Sequence, residues 1–260
     1  MPKHILSIYP KVPAVFVDTG LEYPEIRDFV KTIDNVEWLR PKMKFTEVIQ
    51  KYGYPVGSKK VSRMIRDIQN PTPNNKATRK LYTTGIKKDG SVSKSFKMPK
   101  KWLKFARESG FKASELCCDV IKKKPIKEYE KADGKRAFVG TMASDSDQRR
   151  FSYLATGCNG FSGNRNKSIP LGFWLEEDIW AYLKEFNVPY SKIYDMGEKR
   201  TGCMFCMFGV HLDKGENKFQ RMAISHPKQY NFCINKLGLK HVMDYIGINY
   251  TPFNKTFDNF

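Results

Sequence analysis

Four of the six cysteines fall into two pairs that are hard to explain except as ligands. Cys117 and Cys118 are adjacent, and Cys203 and Cys206 form a C-x-x-C within Arg200-Thr-Gly-Cys-Met-Phe-Cys-Met-Phe208. A fold that uses all four on one group must bring the middle of the chain and its last quarter to one place. Four thiolates satisfy either one tetrahedral zinc or one cubane iron–sulfur cluster. The tandem pair leans toward the cluster, because neighbouring side chains do not easily converge on one ion but can each reach a different iron of a cube. Zinc, and cysteines that are unligated or in a disulfide, stand as the alternatives.

The 260 residues, 40% of them hydrophobic, suffice for one large or two small domains with a sizeable core. No apolar run approaches the length of a membrane span, and no charged-then-apolar signal segment opens the chain. The expected location is therefore the cytoplasm, where thiols stay reduced and paired cysteines read as metal ligands or redox groups. The formal charge of +19 suits anionic partners such as nucleotides, sulfate or phosphate esters and nucleic acid. That charge is concentrated: residues 87–136 hold sixteen Lys and Arg against seven Asp and Glu. Phe96, Trp102, Phe105 and Phe111 lie inside the basic stretch, at a helical spacing that more often fills a core than contacts a base.

Along the chain, Ala14-Val-Phe-Val-Asp18 reads as a buried strand and Thr19-Gly20 as the turn after it. Pro24 suits the first turn of a helix, and Ile26, Phe29, Val30 and Ile33 repeat as an amphipathic helix requires. Val36-Glu-Trp-Leu39 is a second strand. Strand–helix–strand is the unit of a parallel sheet, so the expected class is α/β. Helical patterns follow at 46–52 and 59–69, a break at Pro71-Thr-Pro-Asn-Asn75, a basic surface excursion at 83–97 and a short helix at 99–109. Ala137-Phe-Val-Gly-Thr141 reads as another buried strand, and residues 171–186 as a further helix. The expected organisation is one α/β domain with a basic excursion at about 84–112 and a more helical, cysteine-bearing part at about 170–260.

In open α/β sheets ligands sit beyond the carboxyl ends of strands. The first strand ends in Asp18-Thr19-Gly20, where glycine permits close backbone approach, threonine offers a hydroxyl and the next helix N-terminus favours an anion. The later strand ends in Gly140-Thr-Met-Ala-Ser-Asp-Ser146 with Arg149 and Arg150 beyond, groups that suit phosphate or sulfate oxygens. Lys122-Lys-Lys-Pro-Ile126 follows the tandem cysteines, and cations beside thiolates lower their pKa and offset the charge of a thiolate cluster.

Together these pieces resemble the phosphoadenosine phosphosulfate (PAPS) reductase family, relatives of the N-type ATP pyrophosphatases. Val15-Phe-Val-Asp-Thr-Gly-Leu-Glu-Tyr-Pro-Glu25, Cys117-Cys-x-x-x-Lys122-x-x-Pro125, the run from Gly140 to Arg149, Pro170-Leu171 through Trp180, and Arg200-Thr-Gly-Cys-x-x-Cys206 follow in the family's order. The resemblance implies a parallel-sheet, Rossmann-like fold of the adenine nucleotide alpha hydrolase type. It implies an adenine nucleotide, ATP or adenylyl-sulfate, beside a [4Fe-4S] cluster on Cys117, Cys118, Cys203 and Cys206. Lys122 resembles the lysine between cluster and substrate, and Arg149 would stabilise charge on phosphate or sulfate oxygens. Asp18, Thr19, Gly20, Gly140 and Ser146 would contact the nucleotide, and a sulfur-donor protein and nucleic acid would be further partners.

The chain departs from that family in several places. A Ser-Gly-Gly-Lys-Asp-Ser type phosphate loop should precede His4-Ile-Leu-Ser-Ile-Tyr9, so the chain reads as N-terminally incomplete. Ser162-Gly-Asn-Arg-Asn-Lys-Ser168 is similar on the surface but reads as a plain loop. No cysteine follows Cys233 to serve as a tail nucleophile, Cys158 reads as a structural loop cysteine, and Met142 stands where relatives carry an arginine. Two functions follow as expectations. One is an enzyme of sulfur transfer or reduction, acting at the sulfur or α-phosphate of the nucleotide. The other is a non-catalytic nucleotide or nucleic-acid binder with a structural cluster.

Overall fold

The computed structural model describes residue 9 and residues 11–160 and 167–252. The chain divides into two compact units: Met1–Asp18, Pro24–Arg40 and Lys124–Lys199 form one, and Thr19–Tyr23, Pro41–Lys123 and Arg200–Phe260 the other.

The first unit carries the strands. β1 (Ala14–Val17) pairs in parallel with β2 (Val36–Leu39), and α1 (Pro24–Lys31) lies between them in sequence. Phe16 faces Trp38 across the ladder, with ring centroids 4.9 Å apart in an edge-on arrangement. Asn35 takes a left-handed conformation (φ 54°), which asparagine tolerates, and its carbonyl accepts the Ala14 N–H at 2.9 Å. α6 (Lys124–Asp133) leads to β3 (Ala137–Phe138), which pairs in parallel with β5 (Lys167–Ser168); β4 (Asn159–Gly160) pairs antiparallel with β5. α7 (Asp147–Thr156) and α8 (Glu176–Glu185) complete this unit. Glu176, Glu177 and Asp178 occupy the first turn of α8, where the helix dipole favours acids, and Asp178 accepts the Leu175 N–H at 2.8 Å.

The mixed α/β class and the parallel pairing agree with the sequence reading, but the strands are less buried than their apolar composition suggests. Val15 is 41% exposed, Trp38 37% and Phe138 38%. A parallel strand is fully buried only where layers cover both faces, and β1 has β2 as its one ladder partner among the described residues. The expected strand over 137–141 shrinks to Ala137–Phe138. The loop expected at 162–168 ends in β5; residues 161–166 lie outside the described residues, as do residues 4–8 of the opening run.

The second unit is helical and holds nearly all of the apolar core. α2 (Phe45–Tyr52) buries Phe45, Val48 and Ile49, and α3 (Lys59–Gln69) buries Met64 and Ile65. α4 (Lys76–Thr84) follows a 3₁₀ turn, and α5 (Lys100–Glu108) buries Trp102, Phe105 and Ala106. Two aromatics of the basic stretch thus fill a core, as their helical spacing suggested, whereas Phe96 stays 45% exposed. After the cysteine-bearing loops come α9 (Lys218–Ser225), α10 (Pro227–Asn231) and α11 (Leu239–Ile246). α11 buries Leu239, Val242, Met243 and Ile246 at the i, i+3, i+4, i+7 spacing of one helix face. No helix among the described residues is long and apolar enough to cross a membrane.

This division of core predicts unequal responses to truncation. Phe105→Ala, which empties a fully buried site, should lower stability by about 3–5 kcal/mol. Phe138→Ala, at a partly exposed site, should change it by about 0.5 kcal/mol or less. Urea unfolding of the two variants checks this, and equal losses would contradict the placement of the core.

Candidate functional site

The tandem cysteines are delivered by a segment pinned on both sides. Gly53, after the last turn of α2, has φ 98°, and a Cβ there would sit 2.3 Å from the Lys112 carbonyl carbon. Only glycine admits that approach. Tyr54 then donates its N–H to Lys112 O at 2.9 Å and accepts the Ser114 N–H at 3.1 Å. Glu115 follows, 5% exposed, and one of its oxygens accepts from Arg66 at 2.8 Å and from Arg63 at 3.2 Å. The Leu116 N–H bonds to Ser114 Oγ at 2.9 Å, and the chain enters a helical turn at Cys117. That turn continues as a π-turn over Asp119–Lys123 with Ile121 buried. Cys117 is buried and Cys118 half-buried.

The C-x-x-C loop turns tightly, with the Cys206 N–H on Cys203 O at 3.2 Å, and Met204, Phe205 and Met207 anchor it in the core. The Met204 N–H bonds to Leu21 O at 2.8 Å, which joins this loop to the turn at 19–23. Within that turn Thr19 donates its N–H (3.0 Å) and its hydroxyl (2.7 Å) to the Glu22 carboxylate. Glu22 in turn lies 3.8 Å from Lys122 Nζ. Lys218, in the first turn of α9, donates to Cys203 O at 3.2 Å. Asn217 caps that helix by accepting the Phe219 and Gln220 N–H groups.

The four sulfurs lie in one electrostatic neighbourhood. The hydrogen bond to Cys118, followed by burial and the charges of Cys118, Cys206 and Cys203, drives the Cys117 thiol far up. Cys118 accepts that bond and, against its own burial and with Lys59 and Lys122 nearby, falls to about 6. Burial raises Cys203 although Lys122 hydrogen-bonds to it, and burial raises Cys206 although Lys218 opposes the shift. Burial works to lower Lys122, but the Cys203 charge and hydrogen bond, with Glu22 and Cys118, outweigh it and hold its ammonium charged. In Lys218 burial wins over the charges of Cys206 and Cys203 and lowers the pKa. Among the described residues no three or more Cys, His, Asp or Glu side chains converge as ligands of a single metal ion.

Lys122, Thr19, Gly20 and the four cysteines thus all belong to the second unit, while Asp18, Gly140, Ser146 and Arg149 belong to the first. Asp18 is 9% exposed and paired with Arg27 at 3.0 Å. Gly140 is exposed in the loop after β3. Ser146 caps α7 by accepting the Arg149 N–H at 3.3 Å, and the Arg149 guanidinium is paired with Asp145. Cys158 makes a 3.6 Å contact with the Tyr153 hydroxyl, and Cys233, pushed up to about 12 by burial, donates to Tyr230 O. Sequence reasoning passed over Glu22, Glu115 and Lys218. Glu22 was visible three residues beyond Thr19, whereas nothing marked Lys218, fifteen residues past Cys203, as a neighbour of the thiols.

The family model of the phosphoadenosine phosphosulfate reductase domain matches residues 76–208, which include all four paired cysteines, Lys122, Gly140, Ser146 and Arg149. An adenosine 5'-phosphosulfate reductase of Salinibacter ruber is 31% identical over 107 residues, 41% of this chain and 41% of that protein. Adenosine 5'-phosphosulfate reductase 2 of Bacillus subtilis is 21% identical over 208 residues, 78% of this chain and 64% of that protein. The chain thus matches about two fifths of the length of the first relative and under two thirds of the second. A solved phosphoadenylyl-sulfate reductase of Candida auris, in a phosphate complex, aligns at a TM-score of 0.41 and 18% identity, covering 77% of this chain and 73% of that one.

The pinning of the tandem segment is testable in the purified protein. Glu115→Ala leaves Arg63 and Arg66 without their buried partner. Breaking a buried pair costs about 3–5 kcal/mol, and because Arg63 is 60% exposed and regains water, the loss should be nearer about 2 kcal/mol. Urea unfolding measures that loss. Alkylation of Cys117 by iodoacetamide, read by mass spectrometry, should accelerate in the same variant.

Proposed function

Because this chain belongs to the phosphoadenosine phosphosulfate reductase domain family, we propose that it binds ATP or an adenylyl-sulfate and acts at its sulfur or α-phosphate beside a four-iron cluster. The observation that carries this reading is the gathering of four thiols from two distant segments around Lys122. The donor chemistry suits a thiolate-ligated cluster: Cys117, Cys118, Cys203 and Cys206 would each take one iron, with Lys59, Lys122 and Lys218 offsetting the negative charge. Such a group, when bound, supplies a compact anionic centre of iron and sulfide.

The remaining chemistry belongs to the side chains. Against its burial, and chiefly through Cys203, the surroundings of Lys122 keep its ammonium charged; it is 3.8 Å from Glu22, and its side chain keeps 37% exposure. It can therefore meet a sulfate or phosphate oxygen while facing the sulfurs, and donate a charge-assisted hydrogen bond to it. Thr19 and Gly20, beside Lys122 in the same unit, would contact the nucleotide. Asp18, Gly140, Ser146 and Arg149, taken within the first unit by itself, would also offer contacts to such a ligand, with Arg149 exchanging Asp145 for an anionic oxygen. N–H and guanidinium donors of this kind stabilise charge that develops on phosphate or sulfate oxygens.

Two measurements test the reading. Anaerobically reconstituted protein should bind labelled ATP or adenylyl-sulfate, and Lys122→Ala should weaken the adenylyl-sulfate complex about tenfold or more, the worth of one hydrogen bond to a charged group. Binding of neither nucleotide would overturn the enzymatic reading. Cys203→Ala should abolish brown colour, iron and acid-labile sulfide, whereas Cys158→Ala should retain all three. One zinc per chain without sulfide would replace the cluster by a zinc site.

A further inference from the structure

The basic charge is not spread over the molecule. Residues 59–107 hold fifteen Lys and Arg against two Asp and Glu, while the rest of the chain holds thirty-one against twenty-five. Lysine enrichment for solubility alone would not confine itself in this way. Within the segment Arg66 is engaged by Asp67 and Glu115, and Arg63 by Glu115. Lys60, Lys80, Lys87, Lys88 and Lys97 are exposed and form no ion pair among the described residues.

Lys60, Lys87, Lys88 and Lys97 lie on or beside one small hairpin. Between α4 and α5 the chain makes a small hairpin: Ile86 bridges Val92 antiparallel, the Lys87 N–H bonds to Ser91 O at 2.9 Å, and the Ser93 N–H bonds to Gly85 O at 2.7 Å. Asp89, the one acid at the tip, is occupied by the Ser91 N–H and hydroxyl at 2.9 and 2.7 Å. Lys97 packs against Gly85 at the hairpin base. Lys60 reaches across from α3 to Ser95 O at 2.5 Å, and its ammonium lies 4.7 Å from the Phe96 ring centroid. Val92 is 71% exposed beside the tip lysines, and Phe96 is 45% exposed between Lys60 and Lys97.

We propose that this hairpin and the adjoining Lys60–Phe96 pair form a docking surface for single-stranded nucleic acid, with lysines along the phosphates and Phe96 against a base. This goes beyond the nucleotide and cluster reading and uses none of its residues. Closely spaced phosphates complement a row of unpaired lysines and make binding depend on salt through counterion release. An exposed aromatic with a cation beside it offers the stacking platform that single strands use and duplexes hide. Exposed lysines at and beside the hairpin turn can meet a strand without the broad apolar face that lipid insertion needs.

Fluorescence anisotropy with a labelled single-stranded oligonucleotide, over a series of salt concentrations, tests the proposal on the full chain. Wild type should bind with affinity that falls steeply with salt. The Lys87→Gln/Lys88→Gln double variant should bind about tenfold or more weaker, with the log–log salt slope reduced by about 1.4, about 0.7 per lost phosphate contact on a single strand. Phe96→Ala should weaken binding about fivefold or more with the slope unchanged, as loss of stacking requires. Lys228→Gln/Lys240→Gln, with the same net charge, should bind like wild type. Equal weakening by both double variants would reduce the effect to net charge and overturn the site. Duplex binding as tight as single-strand binding, with Phe96→Ala neutral, would overturn the single-strand assignment. Displacement of the oligonucleotide by phosphatidylserine vesicles or by a polyglutamate peptide at lower charge concentration would overturn nucleic acid as the partner. Adenylyl-sulfate binding, measured on the same variants, should be unchanged, so failure here and failure of the enzymatic reading are separable.

Discussion

Gathering four cysteine sulfurs in one partly buried place is electrostatically adverse, and the organisation of the second unit follows from how that cost is met. Each sulfur that ionises raises the pKa of its neighbours, and burial adds to the penalty. Three lysines from three different elements oppose it: Lys59 from the start of α3, Lys122 from the π-turn and Lys218 from α9. Of the four cysteines Cys118 alone is lowered, because it accepts its neighbour's hydrogen bond and faces two of the lysines. Cationic side chains at this density are tolerable inside a protein only when anions are near, so thiols and lysines stabilise each other's presence.

The same logic governs the scaffold around the sulfurs. The tandem pair sits two residues beyond Glu115, a buried carboxylate clasped by two arginines of α3, and that clasp follows a backbone approach that only Gly53 allows. The C-x-x-C loop is held instead by apolar side chains, Met204, Phe205 and Met207, and by one backbone bond to Leu21. One half of the site is thus fixed by charge and the other by packing. They meet at the short turn at 19–23, where Glu22 links Thr19 to Lys122.

Much of this was legible in the sequence, and the parts that were not have physical reasons. Short apolar runs located β1 and β2, and helical patterns located α1, α2, α3 and α5, because each stands on local sequence. The two cysteine pairs stood out in the sequence by their spacing, and both lie in the second unit. The depth of the strands was not, since burial depends on what covers a sheet rather than on its own residues: Val15 and Trp38 are as apolar as core strand residues yet lie partly open. Lys218 and Glu115 were hidden for a related reason. A lone charged residue carries no periodic signal, and its role is set entirely by chain segments far away in sequence. Thr19 and Ser146 show the intermediate case: both were picked out for their hydroxyls, and both are used locally, one toward Glu22 and the other as a helix cap.

The π-turn at Asp119–Lys123 has a consequence for how this region can vary. A π-turn holds one residue more than the α-helical repeat requires, and removing or adding a single residue rotates the later side chains of the turn by about 100°. Between Cys118 and Lys122 it is therefore chain length, as much as residue identity, that decides which side chain faces the sulfurs. Point substitutions there act as graded adjustments. A one-residue insertion or deletion acts as a rotary selector, exchanging Lys122 for a neighbour while leaving the cysteines and their clasp in place.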